Sequence, residues 1–79
     1  PQALVGAKVP NHKKNSYMEY AEIAAAVEQV SAKFAGEGRV LIRPSGTEPL
    51  VRVMIEGKDQ QLIEQEARAL AELIQDVML

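Results

Sequence analysis

Residues 43–49 read RPSGTEP and bring an arginine, two hydroxyls, a glycine and a carboxylate into one short stretch. Arg43 supplies a planar fork of donors that matches a phosphate bidentately. Ser45 and Thr47 add hydroxyl donors, and Gly46 lets a backbone approach an anion closely and turn freely. Pro44 fixes φ and carries no N–H, which stiffens the step between arginine and serine. Backbone amides in such a turn can form an anion-binding concavity. The chemistry on offer is oxyanion binding, with nothing that acts upon the anion. Ser45 as a nucleophile would need a base, and the single histidine, His12, lies far off in sequence. Glu48 repels phosphate, so it fits better as an orienter of Arg43 or Arg52, or as a partner for a cationic group on a ligand. Arg52 has a plain reading as an outward arginine paired with Glu48 or Glu56. The same letters are also sound turn chemistry, and residue types alone leave that reading open beside the anion site.

The flanking elements must position this tip. RVLIR (39–43) and LVRVMIE (50–56) are short and rich in β-branched residues, as strands are. In the second, Val51, Val53 and Ile55 point one way while Arg52, Met54 and Glu56 point the other. The PSGTEP link makes the pair an antiparallel hairpin, with Pro49 at the first strand position, where proline is tolerated. An opening strand puts Val5, Ala7 and Val9 on one face, and Pro10 ends it. NHKKN then reads as a solvated polar loop; Lys13 and Lys14 could touch an anion, but two neighbouring lysines are common on surfaces, and the solvated connection is preferred. SYME matches a capping box, with Ser16 and Glu19 bonding each other's backbone amides. Ile23, Val27, Val30 and Phe34 mark the apolar stripe of a helix over 17–35, which Gly36 and Gly38 terminate. Asp59 caps a second helix whose inner face is Ile63, Ala67, Leu70, Ile74 and Val77, backed by Leu62 and Leu73. Glu64, Arg68 and Glu72 are spaced for ion pairs on its outer side.

The order is strand, helix, strand, strand, helix. It predicts a two-layer α+β domain: a small antiparallel sheet of three to four strands with two helices on one face. A split arrangement, with one hairpin strand between the other two, is the preferred topology.

The 79 residues suffice for one small domain, residues 1–79, with a thin core and little room for a deep cleft. With 47% hydrophobic and 25% charged residues the balance is that of a globular chain. Without cysteine there is no disulfide, thiolate catalysis or cysteine-held zinc, and one histidine offers no metal pair. No apolar run is long enough to cross a bilayer and no signal peptide is seen, so a cytoplasmic setting without membrane partners is expected. The net charge of −2 argues against nucleic acid. A small RNA-binding module would use Arg39, Arg43 and Arg52 as a basic patch, against the acidic total and the lack of strand aromatics. A hairpin scaffold for another protein would not explain why arginine, hydroxyls and glycine coincide. Because the chain begins at Pro1 without an initiator methionine, it reads as a piece of a longer protein.

RPSGTEPLVRVMIE resembles the C-terminal phosphate-binding loop of the α-D-phosphohexomutase superfamily, within it the bacterial branch acting on glucosamine phosphates. The opening strand QALVGAKV, the helix, GRVLIRPSGTEPLVRVMIEG and the closing helix extend the resemblance along essentially the whole chain. The resemblance implies the fourth, C-terminal domain of a four-domain enzyme, with a fold related to that of the TATA-binding protein. It implies an enzyme that interconverts glucosamine 6-phosphate and glucosamine 1-phosphate for cell-wall amino-sugar synthesis. A phosphoserine in the first domain and a magnesium ion held in the second would do the chemistry, so this fragment alone would be inactive and hold no metal. Related mutases of acetylglucosamine phosphate, phosphomannose or phosphoglucose are the alternatives. Its partners would be the preceding three domains and the hexosamine phosphate. Arg43, Ser45, Gly46 and Thr47 match the positions that contact the phosphate not being transferred, and Pro44, Glu48 and Arg52 match supporting positions of the motif. Ser45 matches a binding serine, distinct from the phosphorylated one.

Overall fold

The structure, a computed structural model, describes residues 1–79. Its elements are β1 (Gln2–Lys8), a 3-10 turn (Lys14–Glu19), α1 (Ala21–Lys33), β2 (Arg39–Pro44), β3 (Leu50–Glu56) and α2 (Gln60–Met78). The sheet has three strands in the order β1-β3-β2, antiparallel throughout, so β3 is central as the split arrangement requires. The alternation decides this. Val51, Val53 and Ile55 are fully buried, and only a central strand lets one apolar row meet neighbours on both sides.

Both helices cover that inner face. Ile63, Ala67, Leu70 and Ile74 of α2 join Ile23 of α1, Phe34, Ala3 and Ala7 in one core. Ala71 and Met78 complete the buried face of α2, whereas Val77 packs at the margin. Asp59 caps α2 as expected, its Oδ1 accepting the Leu62 N–H at 3.1 Å. No helix is long and apolar enough to cross a membrane.

Several local expectations are corrected. The Ser16–Glu19 capping box does not form. Those residues lie in the 3-10 turn, and α1 starts at Ala21 after Tyr20 with no side-chain cap. Tertiary bonds from that turn to the sheet outweigh the local signal, for Tyr17 and Lys14 both reach across to strand and loop carbonyls. Lys14 is therefore buried, not solvated. β3 begins at Leu50, one residue after Pro49, whose carbonyl accepts from Val9 N–H at 3.1 Å and extends the ladder to β1. Glu64, Arg68 and Glu72 make no ion pair among themselves; Glu64 accepts from Gln60 instead, and Lys33 bridges the helices to Glu66. Gly36 ends α1 with φ +87°, the left-handed geometry anticipated for it. Gly38 serves otherwise: a Cβ there would lie 1.9 Å from the Glu56 carbonyl oxygen, so glycine is demanded by close strand approach.

Candidate functional site

The sheet's second face carries no helix, and its side chains form three cross-strand rows. Gln2, Glu56 and Arg39 make the first, Leu4, Met54 and Leu41 the second, and Gly6, Arg52 and Arg43 the third. The third row borders the β2–β3 tip. Register thus sets Arg43 directly opposite Arg52, with both side chains on the uncovered face. Like charges directly opposed in a sheet repel. Glu48 answers only half of this, its Oε1 lying 3.2 Å from Arg52 Nη2. Arg43 has no ion pair, so the tip keeps one uncompensated guanidinium.

Arg43, Pro44, Ser45, Gly46, Thr47 and Arg52 line one shallow concavity of about 390 Å³, with no hydrophobic residue in its wall. Pro44 ends the edge strand β2, where a missing N–H costs the ladder little. Ser45 is only 7% exposed and frames the loop. Its N–H donates to the Leu50 carbonyl at 2.9 Å, and its Oγ accepts the Glu48 N–H at 3.2 Å. The serine oxygen is thereby partly used as a brace, while its O–H still has a proton to donate. The amides of Gly46 and Thr47 and the Thr47 hydroxyl have no partner within the chain, and both residues are exposed. Gly46 does not adopt positive φ, and a Cβ on it would meet nothing within 4 Å. The free turning expected of that glycine is therefore not used.

Glu48 lies outside the concavity's wall and pairs its carboxylate with Arg52, the pairing that both the orienting role and the plain reading of Arg52 expect. Arg39 is held by Glu56, whose carboxyl is kept below the usual carboxylate range by hydrogen bonds from Gln2 and then Arg39. The three arginines consequently do not form a free basic patch. Two residues that sequence reasoning left out of the site touch the loop's frame: Lys14 Nζ donates to the Glu48 carbonyl at 3.2 Å, and Tyr17 Oη to the Ile42 carbonyl at 2.9 Å. Nothing local to their types signals this; two adjacent lysines differ only in burial. No group of three or more His, Asp or Glu side chains gathers anywhere in the fold, and the carboxylate nearest the loop is committed to Arg52. The residues present do not fit a magnesium site.

A two-layer α+β unit with a guanidinium-bearing hairpin tip defines the class, and sequence comparison agrees. Residues 4–73 match the phosphoglucomutase/phosphomannomutase C-terminal domain, and the chain belongs to that family. Within it, the similarity is to phosphoglucosamine mutases. The chain is 62% identical over 74 residues to that of Clostridium botulinum (strain Alaska E43 / Type E3), the match covering 94% of this chain. It is 60% identical over 75 residues to that of Thermoanaerobacter sp. (strain X514), covering 95% of this chain. The chain spans 17% of the length of these curated relatives. Among solved structures, it superposes on Aspergillus fumigatus N-acetylphosphoglucosamine mutase, in complex with GlcNAc-6P and magnesium, with a TM-score of 0.77. That match has 22% identity over 100% of this chain and 16% of the other, and speaks to the fold alone. An N-acetylglucosamine-phosphate mutase of the α-D-phosphohexomutase superfamily, in its substrate complex, gives a TM-score of 0.71 and 30% identity over 94% of this chain and 15% of the other.

Proposed function

We propose that this chain is the C-terminal, fourth domain of a phosphoglucosamine mutase and that residues 43–47 hold the phosphate of the hexosamine phosphate that is not being transferred. The observation that carries the reading is the arginine pair at the tip. Two guanidinium groups stand opposite one another, one carboxylate neutralises one of them, and the remaining charge faces a polar hollow with unpartnered amides. A phosphate supplies the missing anion and the missing acceptors. Arg43 gives the bidentate fork, the Gly46 and Thr47 amides and the two hydroxyls give further donors, and Gly46 leaves its side open to the ligand. Glu48 sets Arg52 at the rim.

Nothing in the hollow activates a nucleophile, so the chemistry belongs to other parts of the enzyme and this chain alone is inactive. Charge-assisted hydrogen bonds contribute about 1.5–3 kcal/mol each before desolvation and ordering costs. A sugar phosphate should then bind the isolated chain with Kd on the order of 1 mM. A weak, remote grip of this kind orients the reacting end and still lets the sugar turn between half-reactions. The enzyme so proposed works in the cytoplasm, on glucosamine phosphates, with magnesium held in another domain.

The test is a titration of the chain with glucosamine 6-phosphate followed by backbone amide shifts. The expected changes centre on residues 43–48 and are competed by inorganic phosphate. Equal responses to glucosamine without phosphate would overturn the reading.

A further inference from the structure

Both ends of the loop are tied to the same 3-10 turn. The Tyr17 hydroxyl donates to the carbonyl of Ile42, the residue before Arg43. The Lys14 ammonium donates to the carbonyl of Glu48, the residue after Thr47, which also accepts the Leu50 N–H at 2.8 Å. Lys14 is 8% exposed, and no carboxylate pairs with it. Lysine is almost never buried unless its charge is answered, because desolvating an ammonium costs more than one carbonyl dipole returns. If this position only filled space, an apolar side chain would do so at lower cost. A buried cation kept directly behind an anion-accepting loop has a use there: it draws in the loop's exit and adds positive potential to the hollow.

We propose that Lys14 and Tyr17 are positioning residues for the phosphate held by residues 43–47. Tyr17 clamps the end of β2, fixing the base from which Arg43 projects. Lys14 clamps the other end of the loop and places its positive charge beside it. The inference rests on the phosphate reading above, which a plain titration tests separately.

The experiment compares the unaltered chain with Lys14→Met, Lys14→Arg and Tyr17→Phe, measuring glucosamine 6-phosphate affinity and, without ligand, amide hydrogen exchange at Ser45 and Leu50. Lys14→Met keeps the bulk and removes the donor and charge, and should weaken binding about tenfold. Lys14→Arg should return affinity to within about threefold of the original, since it restores a cation and donors, a recovery that loss of packing alone would not show. Tyr17→Phe should weaken binding about threefold, as expected for a neutral hydrogen bond acting at one remove. Both Lys14→Met and Tyr17→Phe should speed exchange at the loop's framing amides. Unchanged affinity in Lys14→Met overturns the proposal, as does equal weakness of the methionine and arginine variants. Absence of any phosphate response in the unaltered chain sinks the phosphate reading instead; the exchange comparison then decides whether the two residues brace the loop at all.

Discussion

Replacing Arg43 with alanine separates binding from stability, because its guanidinium holds nothing within the chain. Arg43 is exposed, forms no ion pair, and stands opposite Arg52 in the antiparallel register. Its removal takes away no buried side chain and relieves a like-charge opposition, so the stability change should stay within about 0.5 kcal/mol. Binding should respond quite differently. Loss of one charge-assisted contact to phosphate costs about 1.5–3 kcal/mol, equivalent to roughly 10- to 150-fold in affinity. From a starting Kd on the order of 1 mM, the variant should show no saturable response below about 10 mM. Arg43→Lys keeps the charge as a point and loses the planar fork, so it should recover only part of the affinity. Thermal unfolding and amide-shift titration on the same samples give the two numbers. An alanine variant that loses more than about 1 kcal/mol of stability while binding sugar phosphate normally would refute the reasoning. Arg43 would then be structural, and the tip merely a turn.

Gly38→Ala should be severely destabilising, by more than about 3 kcal/mol, since backbone cannot yield to a Cβ placed 1.9 Å from the Glu56 carbonyl oxygen; denaturant unfolding measures it. Asp59→Ala removes the side-chain acceptor for the Leu62 amide at the start of α2 and should cost about 1 kcal/mol in the same assay. Glu56 is held below the usual carboxylate range by Gln2 and Arg39, so its contribution is present above its ordinary value of 4.5 and is lost as pH falls through the lower folded value. Glu56→Gln should accordingly be the less stable chain near neutrality and lose less through that window, so that the two converge at the acid end.

The strand alternation of LVRVMIE, the glycine stop at Gly36, the Asp59 cap and the apolar face of α2 were all legible in the sequence. Each depends on residues within a few positions, so periodicity and turn chemistry suffice. The cluster RPSGTEP was legible as a set of donors on the same grounds. The SYME box failed because local capping competes with distant partners, and Tyr17 and Lys14 find theirs in Ile42 and Glu48. Gly38 could be read as a helix stop, but its need to pass beside Glu56 depends on how the strand after it packs. Tertiary structure alone decided which charges are spent. Hairpin register sets Arg43 against Arg52, leaves Glu48 within reach of only Arg52, and folding of a segment far upstream buries Lys14 behind the loop. Residue type states what a side chain can donate; whether it is free to do so depends on burial and charge pairing between parts of the chain that only folding brings together.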